Sequence, residues 1–255
     1  MIDTHTHIYF RENFENEFSE IISRGLAEGV SHFVLPNVDE STIEEVRYLH
    51  RLFPDITSMA IGLHPTEVEE TWNVSMKTIE KELSSGEYKA IGEVGLDLYW
   101  DKSKALMQNE AFEWQLRLAE EAILPVIIHS REALAETLEV IKKVSPTIPL
   151  IFHSFTGDIS AVRKIREVCD PFFGINGVVT YKNAEGLREA LNEITLYRMI
   201  LETDSPYLTP MPHRGKRNES SYLRFVRDKI AETMDISPHI VEEKTDLNAC
   251  SIFQI

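Results

Sequence analysis

The sequence predicts an α/β fold, a (β/α)8 barrel of the TIM type. Three observations predict it. Short β-branched or apolar runs alternate with longer amphipathic stretches, the pattern of βαβ units around a parallel sheet. Eight such runs occur in 255 residues, the size of one eight-fold barrel. No Gly-rich loop follows the first run, which weighs against an open doubly wound sheet built from the same alternation. The whole chain, residues 1–255, is expected to form a single domain.

The expected strands, in order, are MIDTHTH from Met1, HFVLPNV from His32, SMAIGLHP from Ser58, KAIGEVGLD from Lys89, PVIIHS from Pro125, PLIFHSF from Pro149, PFFGINGVV from Pro171 and MILETDSP from Met199. Between them, residues 44–53, 110–122 and 132–144 carry apolar side chains at helical spacing. No low-complexity segment, linker-like tract or short repeat interrupts the alternation.

Composition narrows the function classes. Hydrophobic residues make up 43 % of the chain, enough for a sizeable core, and no apolar run approaches the ~20 residues that span a bilayer. No basic n-region and apolar h-region mark a secretory signal. Cys169 and Cys250 are the only cysteines, which argues against a disulfide scaffold and suits a cytoplasmic location. The net charge of −16 excludes general attraction to nucleic acid over the whole surface. Any phosphate must be met by local cations, either metal ions or a short basic stretch.

Nearly every expected strand ends in a residue capable of chemistry. In a barrel all C-terminal strand ends meet on one face, where active sites sit. His5 and His7 share one side of the first strand, because side chains two apart point the same way. Alone, such a pair is more often structural than ligating. Here Glu93, His129, His153 and Asp204 close other strands. Four imidazoles and two carboxylates exceed one tetrahedral ion and suit two divalent metals, with Glu93 as the bridge. His5, His7, Glu93 and Asp204 would hold one ion; Glu93, His129 and His153 would hold the other. Any one of these residues alone would equally suit a core histidine or a helix-capping acid; six agreeing with one geometry shift the balance.

Other residues fit supporting roles. Asp97 and Glu202 would orient imidazoles or cap helices, and Asp3 likewise. His64 would contact substrate or pack under its loop, whereas His32, His50 and His239 read as structural or surface residues. PMPHRGKRNES after the eighth strand places Arg214, Lys216 and Arg217 where barrels often bind phosphate, and Arg131 would add a bidentate contact. The bland alternative for that stretch is a solvated loop.

The blocks DTHTH, AIGEVGLDLYW, PVIIHSREA, FHSFTG and ETDSPYLTP with PHRGKRNES run through the whole chain. In combination they resemble the TatD-type metal-dependent deoxyribonucleases, a branch of the amidohydrolase-like barrels. The resemblance implies a barrel, divalent metals and hydrolysis of DNA phosphodiesters, with ligands at His5, His7, Glu93, His129, His153 and Asp204. It also implies single strands or strand ends as substrate and exonucleolytic action. Two stretches depart from the family pattern. Ile8, Tyr9 and Phe10 stand where relatives commonly carry an acid, and NACSIF lacks the usual arginines.

The expected activity is phosphodiester hydrolysis by metal-activated water, with Glu93 and Asp204 catalytic and Asp204 as general base. His64, Arg131, Arg214 and Arg217 are the expected substrate contacts. The ions would be Mg, Mn or Zn; imidazoles suit Mn or Zn better than Mg. DNA is the expected partner, with no membrane and no obligate protein partner. The alternative on the same centre is hydrolysis of an ester, amide or lactone, including aminoacyl esters, because loops rather than fold decide substrate. A catalytically silent metal-binding scaffold would not need six convergent ligands.

Overall fold

The computed structural model describes residues 1–14 and 17–255. β1 (Ile2–Asp3), β2 (His32–Pro36), β3 (Thr57–Ile61), β4 (Tyr88–Asp97), β5 (Val126–Arg131), β6 (Leu150–Phe152), β7 (Phe172–Ile175) and β8 (Met199–Leu201) form one sheet. Each strand runs parallel to the next in sequence order. β8 returns beside the first strand. The Thr4 amide donates to the Leu201 carbonyl at 3.0 Å, the Asp204 amide donates to the His5 carbonyl at 2.9 Å, and Thr6 bridges Ser205. The expected (β/α)8 barrel is therefore present and nearly closed.

Helices fill the connections, as right-handed βαβ crossovers require. The three expected ones appear as Ile43–Leu52, Ala105–Ala122 and Leu134–Val144. The second begins at Ala105 rather than at residue 110. Asp101 explains the early start: its carboxylate accepts from the Ser103 amide and caps the short turn Lys102–Lys104 that leads into the helix. Among the described residues no helix is long and apolar enough to cross a membrane.

β1 is shorter than the expected strand. Its ladder to β2 covers Ile2 and Asp3 alone. The histidines lie beyond that ladder, on an extended segment held from two sides: the Thr6 amide donates to the Val34 carbonyl and the His7 amide to the Ser205 carbonyl. Both positions are buried, so the pair is anchored by backbone bonds rather than left on a loose loop.

The barrel interior is layered by the two-residue period of its strands. Ile2, Val34, Ala60, Ala90, Ile127, Ile151 and Ile200 form an apolar lower layer. The C-terminal helix Pro238–Phe253 sets Ala249, Ile252 and Phe253 against it, stoppering the lower end. Two residues further along the same faces come His129 above Ile127, His153 above Ile151 and Glu202 above Ile200. The polar centre thus rests on a floor of branched aliphatic side chains.

β4 breaks the period, and Glu93 depends on the break. Ala90 packs in the interior layer, so strict alternation would turn Glu93 outward. Between Ile91 and Val94 the register against β5 slips by one residue: Ile91 pairs with Val126, yet Val94 pairs with Ile128. This bulge inverts the phase. Val94 joins the outer core and Glu93 turns toward the barrel axis.

Candidate metal centre

Glu93 stands at the middle of the upper layer, almost fully buried. Its Oε2 lies 3.1 Å from His5 Nε2 and 3.9 Å from His7 Nε2. Its Oε1 lies 2.6 Å from His129 Nδ1 and 3.6 Å from His153 Nε2. Asp204 completes the cluster, with Oδ1 at 3.7 Å from His5 Nε2, 3.6 Å from His7 Nε2 and 3.6 Å from His153 Nε2. The six residues expected as ligands are thereby brought together, from chain segments two hundred residues apart.

Three outer groups set which imidazole nitrogen faces inward. Asp97 Oδ2 lies 3.1 Å from His129 Nε2, so that nitrogen donates outward and Nδ1 is presented to Glu93. Glu202 Oε1 lies 3.1 Å from His153 Nδ1, an ion-pair distance in an alignment short of a hydrogen bond, while accepting from the Ser154 amide at 2.6 Å. The third group is Tyr9. Its hydroxyl donates to the Pro36 carbonyl at 2.5 Å, so toward His7 Nδ1, 2.9 Å away, it can only accept. His7 therefore carries its proton on Nδ1 and turns a bare Nε2 inward. Orienting partners of this kind characterise metal-ligating histidines. Asp97 and Glu202 were anticipated in that role. Tyr9 was not, although its place two residues after His7 was the available signal. Asp3 orients no imidazole. It accepts from the Thr203 amide and hydroxyl at 2.9 and 2.7 Å, tying β1 to the turn that carries Asp204.

Close packing also demands one glycine. A Cβ on Gly174 would stand 2.1 Å from Glu202 Oε2, so only glycine leaves room for the carboxylate behind His153.

The electrostatics are those of a site built for cations. Burial alone would raise Glu93, but His153, His64 and His5 face it and His129 donates to it, holding it well below the usual carboxylate range. Burial likewise opposes charge on Asp204, and His153 and His7 outweigh it. Burial opposes protonation of His153 and His129, yet Glu202 and Glu93 raise the first to about 10, and Asp97 and Glu93 raise the second to about 9. His5, buried and stacked on His153 with ring centroids 3.5 Å apart, is lowered.

The donor set fits divalent metals. His5 Nε2 and His7 Nε2 face each other at 3.1 Å, and His5 Nδ1 is buried without a partner. Ligand atoms about 2.1 Å from one tetrahedral ion lie roughly 3.4 Å apart. The groups His5, His7, Glu93 and His64, Glu93, His129 each gather one ligating atom per residue within 4.8 Å.

His64 differs from the others. Its Nδ1 lies 2.7 Å from the Thr66 hydroxyl and 3.2 Å from the Thr66 amide, and its Nε2 points at Glu93 Oε1 and His129 Nδ1 from 3.5 and 3.3 Å.

A pocket of about 690 Å³ opens above these residues, lined by His7, Glu93, His129, His153 and Asp204 and rimmed by Trp100 and Arg131. The other two expected substrate arginines are absent from its lining. Arg217 donates to the Asn13 carbonyl at 2.8 Å and to Glu17 at 3.0 Å, and Arg214 lies 4.4 Å from the Tyr181 ring centre. In the same loop Asn218 donates to the Thr203 and Tyr207 carbonyls and Glu219 grips Arg24. Much of PHRGKRNES thus braces the loop behind Asp204. His32 and His50 bond Ser58 and Thr57 away from the centre, and His239 is exposed.

The family model described as "TatD related DNase" matches residues 2–254. The chain belongs to that family. YabD of Bacillus subtilis, described as an uncharacterized metal-dependent hydrolase, is 37 % identical over 100 % of this chain and 99 % of its own length. YcfH of Escherichia coli K12, described in the same words, is 28 % identical over 100 % and 96 %. The crystal structure of YjjV, a TatD homolog from Escherichia coli K12, superposes with a TM-score of 0.93 at 25 % identity, covering 100 % of this chain and 98 % of that one. A probable 2-pyrone-4,6-dicarboxylic acid hydrolase from Acinetobacter baumannii shares the fold at a TM-score of 0.68 and 15 % identity over 100 % and 99 %. The protein is thus a TatD-family metal-dependent hydrolase with an amidohydrolase-like fold.

Proposed function

We propose that this TatD-family hydrolase cleaves phosphodiester bonds of DNA, acting exonucleolytically at single strands or strand ends. The supporting observation is the pairing of a carboxylate–imidazole centre with Arg131 on the rim of the same pocket. In a chain of net charge −16, Arg131 is the cation placed where a phosphate entering that pocket would pass. Its guanidinium lies against aromatic rings rather than a carboxylate.

In this reading His5, His7, Glu93 and Asp204 would hold one divalent ion, and Glu93, His129 and His153 would hold a second. Ions bound there supply Lewis acidity toward a phosphoryl oxygen and acidify a water. The chain's own residues do the rest. Asp97, Glu202 and Tyr9 keep the imidazoles in their ligating tautomers. Asp204, kept ionised by His153 and His7 and the more exposed of the two central carboxylates, accepts the proton of the attacking water. His64 Nε2 faces the centre and would meet one non-bridging phosphate oxygen when it carries the ring proton, and Arg131 would take another. Arg214 and Arg217 lie outside the pocket and would meet only a longer strand.

The test uses metal-reconstituted protein, single- and double-stranded oligonucleotides, a panel of carboxylic esters and lactones, and Glu93→Ala. Cleavage of oligonucleotides that Glu93→Ala abolishes is the expected result. Turnover of esters with no DNA cleavage would replace this reading with the ester-hydrolase one. Cleavage that survives Glu93→Ala would come from a contaminant.

A further inference from the structure

Trp100 is 71 % exposed, and its neighbour Tyr99 49 %, on the segment that follows β4. Their rings meet edge to face, 4.9 Å apart at 87°. The Arg131 guanidinium sits 3.9 Å from the Tyr99 ring centre and 5.5 Å from that of Trp100, within the range of a cation–π contact. The backbone beneath is pinned: the Leu98 amide donates to the Arg131 carbonyl at 3.0 Å, and the Tyr99 amide donates to Asp97 Oδ1 at 3.0 Å. The other oxygen of that carboxylate holds His129. One side chain therefore fixes both the aromatic pair and an imidazole of the centre, and sets the distance between them.

We propose that Trp100, backed by Tyr99 and Arg131, is a stacking subsite for one unpaired nucleobase beside the bond being cleaved. Three properties select that ligand. A tryptophan left this exposed at the edge of a pocket has a free π-face to offer. The adjoining guanidinium calls for an anion next to the planar group, which excludes a plain aromatic metabolite and suits a nucleotide unit of a strand. Stacking on Trp100 requires a base whose face is uncovered, so the strand must be unpaired at that position. The subsite takes any base, because every base has a π-face and no side chain in the trio can read a Watson–Crick edge in full. This inference rests on the nuclease reading for its substrate and adds the contact that would hold it.

Trp100 is exposed, so replacing it leaves the core untouched. The experiment compares a short thymidine oligonucleotide with one of equal length carrying abasic sites, on metal-loaded wild type, Trp100→Phe and Trp100→Ala. The readouts are KM and the quenching of tryptophan fluorescence on titration, with Trp100→Phe identifying the share due to this residue among the three tryptophans. The wild type is expected to favour the base-bearing strand in KM by about 5- to 150-fold, the range of one base–aromatic stack. Trp100→Ala should bring that ratio close to one, with Trp100→Phe between, and base-dependent quenching should vanish in both variants. A wild type that cleaves both strands with one KM overturns the subsite and leaves the nuclease reading standing. No cleavage of either strand, with base-dependent quenching intact, overturns hydrolysis and keeps the subsite. Absence of both cleavage and quenching overturns the two together.

Discussion

Tyr9→Phe removes one oxygen atom and should loosen metal binding without touching a ligand. The Tyr9 hydroxyl accepts the proton of His7 Nδ1 and donates its own to Pro36. Phenylalanine fills the same buried volume but accepts nothing, so His7 Nδ1–H is left without a partner in a fully dry position. Leaving such a donor unsatisfied costs about 1–3 kcal/mol. His7 escapes that cost by moving its proton to Nε2, where it faces His5 Nε2 and the two carboxylates and blocks the ligating lone pair. A metal must then reverse the tautomer, which corresponds to roughly 10- to 100-fold weaker binding, the range found when such orienting groups are removed. The assay is competition for Mn or Zn against a chromophoric chelator, run on wild type, Tyr9→Phe and His7→Ala, with thermal unfolding as a check on the fold. An affinity within about twofold of wild type for Tyr9→Phe, beside a collapse for His7→Ala, would refute the reasoning.

Gly174→Ala places a methyl group 2.1 Å from Glu202 Oε2. It should destabilise the fold by about 1–3 kcal/mol in urea unfolding and weaken metal binding by displacing the carboxylate behind His153; wild-type behaviour in both would mean that Glu202 has slack. His32 tests pH dependence away from the centre. Its pKa is pushed down to about 4 by burial and by His50, from an ordinary value of 6.5. The unfolded chain then binds more protons between those values, so His32 contributes stability above pH 6.5 that is lost as pH falls toward 4. The shift corresponds to about 3 kcal/mol at most, reduced to roughly 1–2 by solvent screening at a partly exposed ring. His32→Gln should flatten the slope of urea stability between pH 7 and pH 4 by that amount; an unchanged slope would assign the acid loss to other groups.

The strands were legible because each is a compact β-branched or apolar run bounded by proline, glycine or a charged turn. The convergence of the six candidate ligands was legible because parallel strands deliver their C-terminal ends to one face, whatever separates them in sequence. Glu93 was named for its chemistry rather than its register; simple alternation from Ala90 would have faced it outward, and the bulge that turns it inward leaves no local mark. β1 was overdrawn for a related reason: MIDTHTH alternates like a strand to His7, but its later residues find partners in β2 and in the turn after β8. The pairings of the basic loop were not legible because isolated arginines look free in a sequence. Arg217 meets Glu17 across 200 positions, a pairing that no local pattern signals. Tyr9 stood out as a departure from a family pattern two residues after His7, and its hydrogen bonds to His7 and Pro36 give that departure a structural role.

With its foot closed by Ala249, Ile252 and Phe253, the barrel opens from the centre toward the rim bearing Trp100 and Arg131. An ion that enters by that rim would share the path of the substrate. A substrate lying across the rim would then stand between such an ion and a chelator.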